Sequence, residues 1–164
     1  GSEPVAVLLA DDLILGASCV KEMVDAYKGG NMVAVMDVPH EQTGSYGIVT
    51  PGADDGRIVQ VEGLVEKPDP SSAPSNIAVV GRYIITPEVF ETLAAQERGA
   101  GGEIQLTDAL AKQIGKAPFS GVRFSGERFD CGSKLGFLQA NVAFSLNNDA
   151  MRDQLRDWLS ERLG

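Results

Sequence analysis

The chain opens on a short run in which every position is apolar, Val5-Ala6-Val7-Leu8-Leu9-Ala10, halted by Asp11-Asp12. A continuous run of this length predicts a strand buried on both faces, with carboxylates at its C-terminal end. Val20, Met23, Val24 and Tyr27 then recur at helical spacing, and Gly29-Gly30 supplies a stop. Met32 to Val38 returns to strand-forming residues. Strand, helix, strand is a βαβ unit, which predicts that part of the sheet is parallel.

The middle of the chain changes period. Tyr46 to Thr50 and Arg57 to Val65 read as strands, and the turn formers Pro51-Gly52-Ala53-Asp54-Asp55-Gly56 between them predict a hairpin. Residues 68–74, PDPSSAP, form a polar loop. Ile77 to Ile85 is strand-like, with Gly81 inside it as a mark of close backbone or ligand approach. Thr86-Pro87-Glu88 starts a helix, with threonine as cap, proline at the first position and an acid in the first turn. After the glycine-rich loop 98–102, a helix is expected from Thr107-Asp108 to Gly115, a strand at Val122-Arg123-Phe124, and a helix from Leu135 to Leu146. From Asn148 onward, Met151, Leu155, Trp158, Leu159 and Leu163 make one apolar stripe along a terminal helix. With no internal repeat and no linker, residues 1–164 read as one α/β domain, with 148–164 a terminal amphipathic helix.

Composition narrows the classes. Of 164 residues, 43% are hydrophobic and 23% charged, enough for a packed core and too apolar for wholesale disorder. Fourteen basic against 23 acidic side chains give a formal charge of −9, which argues against nucleic acid or an anionic membrane as partner of the whole chain. An anionic ligand would need a local cation, a metal or backbone amides. No apolar run approaches the ~18 residues of a membrane span, and no basic segment precedes an apolar one as in a signal peptide. Cys19 and Cys131 lie far apart, neither in a C-x-x-C pair, and read as small buried thiols in a reducing cytoplasm. His40, the single histidine, has no nearby cysteine or serine partner and reads as structural.

The residues left for chemistry are mostly acids and glycines. Asp11 and Asp12 at a strand end fit either turn acids or a ligand for a hard cation such as Mg²⁺, which suits one or two carboxylates plus phosphate oxygens. Asp130, before Cys131-Gly132, fits a turn equally, or the second carboxylate of such a site. In Val65-Glu66-Lys67-Pro68 the glutamate can accept from sugar hydroxyls and the lysine can neutralise a phosphate, or the two form a solvated pair. Gly47 and Gly81 fit either bulge positions or backbone exposed to a sugar. Neither G-x-x-x-x-G-K-[ST] nor G-x-G-x-x-G occurs, so a nucleoside triphosphate lacks its expected loop in this chain.

Six blocks follow one another in a familiar order. They are Leu8-Leu9-Ala10-Asp11-Asp12-Leu13, Tyr46-Gly47, Val65-Glu66-Lys67-Pro68, residues 73–83 (APSNIAVVGRY), residues 102–109 (GEIQLTDA) and residues 130–136 (DCGSKLG). From about Pro4 onward the chain resembles the bacterial UTP–glucose-1-phosphate uridylyltransferases, or UDP-glucose pyrophosphorylases. The APSNIAVVGRY and GEIQLTD blocks carry most of that likeness and favour uridylyl over thymidylyl or cytidylyl relatives. The resemblance implies a Rossmann-like mixed sheet of the sugar-phosphate nucleotidyltransferase type, incomplete at its N-terminal half. It implies Mg²⁺-dependent reaction of UTP with glucose 1-phosphate to give UDP-glucose and pyrophosphate, in a cytoplasmic homo-oligomer. Asp11 and Asp130 then correspond to the Mg²⁺ carboxylates, Glu66 to a glucose-hydroxyl ligand and Lys67 to a phosphate ligand. Gly47 and Gly81 correspond to sugar-contacting backbone, and Glu103 to a residue near the sugar pocket. The family's opening loop, G-x-G-T-R-x-x-P-x-T-K, does not occur in this sequence. The chain is therefore expected to supply the sugar-phosphate and metal half of the site and to be inactive alone. The alternative is a non-catalytic sugar-nucleotide-binding module.

Overall fold

The computed structural model describes residues 1–95 and 105–164. In chain order the elements are β1 (Val5–Leu8), β2 (Asp12–Leu15), α1 (Cys19–Ala26), β3 (Asn31–Asp37), β4 (Gly47–Asp54), β5 (Ile58–Glu66), β6 (Ile77–Ile85), α2 (Pro87–Ala95), α3 (Leu106–Ala111), β7 (Phe119–Arg123), β8 (Glu127–Asp130), α4 (Lys134–Leu146) and α5 (Arg152–Leu163). They divide into two compact units, one of Gly1–Leu8 and Cys19–Phe124, the other of Leu9–Ser18 and Ser125–Gly164.

The first unit is built on a six-stranded sheet in the order β1-β6-β3-β7-β5-β4, with β4 also touching β6. β3 sits inside the sheet because Met32, Val33, Ala34 and Val35 are all apolar and all buried. Around it Val49, Val59, Val61, Tyr83 and Ile85 close one core with Val89 of α2 and Leu110 of α3. The sheet is mixed, as expected, but its parallel pair is β3–β7. β1 and β3 do not pair; both lie antiparallel to β6, one on each side. The β4–β5 hairpin forms as expected, except that β4 continues with register shifts through Pro51 to Asp54. Its tip is tied by Asp54 Oδ1 accepting from the Gly56 amide at 2.9 Å and Asp55 Oδ1 accepting from those of Arg57 and Ile58 at 2.8 and 2.6 Å.

Several expectations are corrected. The Val5–Ala10 run ends as a strand at Leu8 and is not buried on both faces: Val5 and Leu8 are about half exposed, because β1 pairs only with β6. The helix expected up to Gly115 stops at Ala111, and Gly115 takes a left-handed φ of 82° beside the Ile114–Ala117 bridge. The strand expected at residues 122–124 spans Phe119 to Arg123, since Phe119 fills the core.

The second unit is a two-stranded antiparallel ladder, β2 with β8, packed with α4 and α5. No element was expected over residues 127–129, and Asp130 was read as a turn or a metal carboxylate; β8 is a strand because each of its residues pairs with one of β2, Asp130 opposite Asp12 and Phe129 opposite Leu13. Phe129 is buried and meets Phe144 of α4 edge to face at 6.2 Å between ring centroids. The terminal helix begins at Arg152 rather than Asn148, and none of its residues is buried. Cys19 is buried, but Cys131, in the turn after β8, is only half-buried, against the expectation for both thiols. Among the described residues no helix is long and apolar enough to cross a membrane.

Candidate active site

In the second unit the two adjacent acids part company. Asp12 opens β2 and is 5% exposed, and Arg128 of β8 donates to its Oδ1 through both Nε and Nη2. It is a structural acid, its charge taken up by a guanidinium one strand away. Asp11 precedes β2 on an exposed bend, and its carbonyl accepts from the Cys131 amide at 2.7 Å. That bond ties the turn before β2 to the turn after β8, and so brings Asp11 beside Asp130.

The block from Asp130 to Gly136 explains the rest. Asp130 Oδ1 accepts from the Gly132 amide at 3.0 Å. Ser133 caps α4 by accepting from the Gly136 amide at 3.0 Å while its hydroxyl donates to the Asp130 carbonyl at 3.1 Å. A Cβ at Gly136 would stand 2.0 Å from that carbonyl oxygen, so only glycine lets the first turn of α4 close on Asp130. A Cβ at Gly132 would stand 3.1 Å from Asp130 Oδ1 and 3.3 Å from Asp11 Oδ2. The two carboxylates thus flank one small gap that a methyl group would fill. Two hard oxygen donors bordering an open gap suit Mg²⁺, which completes its shell with water and phosphate oxygens. Among the described residues no group of three metal-binding side chains assembles.

In the first unit Gly47 opens β4 directly opposite Glu66, the last residue of β5. A Cβ on Gly47 would lie 3.2 Å from Glu66 Oε2 and 3.4 Å from Thr107 Cγ2, so the glycine leaves room between a carboxylate and a threonine. Thr107, in α3, carried no assigned role in the sequence; its block was recognisable, but its position opposite Gly47 arises from the fold. Lys67 follows Glu66 with its ammonium 3.8 Å from Glu66 Oε1. Gly81 lies within β6 where the register with β3 slips, from Val33–Tyr83 to Ala34–Val80, and Arg82 Nη1 donates to its carbonyl at 3.0 Å. Gly47, Glu66, Lys67 and Gly81 thus belong to the first unit, Asp11 and Asp130 to the second. Glu103 lies outside the described residues.

Residues 1–145 match the model of the family described as Nucleotidyl transferase, and the chain belongs to that family. Within it, the UTP–glucose-1-phosphate uridylyltransferase of Komagataeibacter xylinus is 51% identical over 162 residues, covering 97% of this chain and 55% of that protein. A UDP-glucose pyrophosphorylase solved in complex with UDP-glucose superimposes with a TM-score of 0.85 at 38% identity, over 90% of this chain and 58% of that one. The UTP-bound UGPase from Acinetobacter baumannii gives 0.86 at 32% identity, over 98% and 57%. The chain therefore spans just over half the length of the proteins it matches.

Proposed function

We propose that this chain is part of a nucleotidyltransferase that moves a uridylyl group from UTP to glucose 1-phosphate, giving UDP-glucose and pyrophosphate. The observation that carries the reading is the convergence of Asp11 and Asp130 on the gap at Gly132, in a chain of this family. Asp11 and Asp130 would hold Mg²⁺, and the bound ion supplies neutralisation of phosphate oxygens. Glu66 accepts from glucose hydroxyls, and Gly47 keeps the space beside its carboxylate clear. Lys67 neutralises the phosphate of glucose 1-phosphate, whose oxygen attacks the α-phosphorus of UTP as the bond to pyrophosphate breaks. No covalent enzyme intermediate is required, and the residues contribute position and charge. Gly81 offers backbone to the sugar, and Glu103 joins the sugar pocket on the resemblance alone. The uridylyl preference rests on the names of the relatives.

Calorimetric titration of glucose 1-phosphate in the presence of Mg²⁺ tests this. The chain is expected to bind, and Lys67→Ala to weaken binding about 10- to 150-fold, the ~1.5–3 kcal/mol of a hydrogen bond to a charged group. Unchanged affinity in Lys67→Ala would refute the assignment. We also propose that the protein is cytoplasmic, on the resemblance alone, and a homo-oligomer, supported by the exposed apolar residues Leu135, Phe137 and Leu138 of α4. Light scattering is expected to report more than one copy in wild type and fewer in Leu138→Lys; a monomer at tens of micromolar would exclude it.

A further inference from the structure

Consecutive side chains of a strand point to opposite faces, so an acid and a base at adjacent positions should diverge. Glu66 and Lys67 do not: the ammonium of one lies 3.8 Å from the carboxylate of the other. The backbone supplies the reason. Lys67 has a φ of 44°, the one positive value outside glycine among the described residues. This is a conformation in which Cβ crowds the backbone and which such a residue holds only when its surroundings impose it. Two features impose it here. The Lys67 amide donates to the Tyr46 carbonyl at 2.9 Å, extending the β4–β5 ladder by one bond. Pro68, which follows, is buried and carries the chain away in a fixed direction.

The geometry points to a positioning role for this left-handed turn. It ends the alternation of β5 after Glu66 and brings the ammonium of Lys67 to the carboxylate that borders Gly47 and Thr107. The pair then presents one acceptor and one cation together, the combination that a hydroxyl-bearing phosphate ester requires. Lys67 is held in a strained backbone for the sake of this placement, and Pro68 is the positioning residue that fixes its far side. The inference rests on the sugar-phosphate reading for its purpose, but not for the strain.

Three variants separate the two. At an ordinary strand position glycine is less stable than alanine; at Lys67 the order is expected to invert, Lys67→Gly melting about 2–4 °C above Lys67→Ala. Gln60, exposed within β5 and paired in register with Ser120 of β7, supplies the control, where alanine should melt above glycine. In wild type, a strong intraresidue amide–Hα NOE at Lys67 reports the positive φ directly, whether or not the variants fold. Pro68→Ala should keep the lysine yet weaken glucose 1-phosphate binding severalfold, and weaken that NOE. Lys67→Ala melting above Lys67→Gly, or an NOE of extended strength, would overturn the inference. Normal binding in Pro68→Ala would overturn the positioning role. If wild type binds no glucose 1-phosphate while the melting order inverts and the NOE is strong, the sugar-phosphate reading fails and the strain stands.

Discussion

In the first unit Val33, Val49, Val59 and Val89 lie wholly out of solvent, whereas in the second Leu135, Phe137 and Leu138 of α4 stand more than half exposed. Both units carry candidate site residues, so the contrast concerns how each is held. Gly47 and Glu66 sit on strands that share a closed apolar core, and Lys67 follows directly after one of them. Asp130 ends, and Asp11 immediately precedes, a strand of a short two-stranded ladder whose helices leave much of their apolar surface in water. A unit of that size buries too little to rely on its core. Its order rests on directed contacts instead: the Asp12–Arg128 ion pair, the Ser133 cap, and the approach of α4 to Asp130 that Gly136 permits. Hydrophobic burial tolerates small errors of position; a gap shared by two carboxylates needs the directional kind.

The sharpest break in that contrast is Arg128→Ala, which removes the guanidinium from a buried carboxylate. It should destabilise the second unit by about 3–5 kcal/mol. Trp158, the single tryptophan, lies in α5 of that unit, so its fluorescence in urea follows the loss directly. A change below ~1 kcal/mol would mean that the unit is held chiefly by its apolar contacts.

The first unit has a polar brace of its own, on which a smaller effect is expected. Arg123 of β7 donates to Asp54 through Nη1 and Nη2 at 2.9 and 3.0 Å and to Asp37 through Nε at 2.9 Å. The Arg123 guanidinium, and after it the Gly56 amide, hold the Asp54 carboxyl below the usual carboxylate range. A depressed acid adds stability that is fully present above its unfolded pKa of about 3.9 and is lost as the pH falls through the folded value. Acid unfolding followed by circular dichroism should therefore steepen below about pH 4, and Arg123→Ala should flatten that limb by lowering stability most at neutral pH and least in acid. An unchanged acid limb in the variant would remove the brace from the account.

The smallest effect compares one thiol from each unit. Burial pushes the Cys19 thiol up to about 11. Cys131 lies half-buried beside Asp130. A thiol reagent at pH 8 should modify Cys131 within minutes and leave Cys19 intact in the folded protein. Equal rates would show that α1 opens as readily as the turn after β8.

Much of this was legible where local pattern and tertiary need agree. Ile77 to Ile85 was read to the residue, because a run of apolar and β-branched positions suits a strand flanked on both sides. The start of α2 at Pro87 followed from cap chemistry alone. Glu127-Arg128-Phe129-Asp130 was not readable as a strand, since Arg128 within it is explained by Asp12, more than a hundred residues earlier in the chain. For the same reason Asp11 and Asp12 could not be told apart: one has a buried partner and the other does not. The exposure of β1 was hidden because its apolar run says nothing about how many neighbours the strand has. Gly132 and Gly136 stood in a recognisable block, but their reason, the closeness of two carboxylates and of a carbonyl, exists only once α4 has folded against β8.

Binding of Mn²⁺, a hard cation that stands in for Mg²⁺, measured by electron paramagnetic resonance, bears most directly on the claim that Asp11 and Asp130 share an ion over Gly132. Wild type is expected to bind, and Asp11→Asn, Asp130→Asn and Gly132→Ala each to weaken binding at least about tenfold, ~1.4 kcal/mol, with the unfolding transition of Gly132→Ala nearly unmoved. Wild type that binds no Mn²⁺, or either single asparagine variant binding as wild type does, would contradict it.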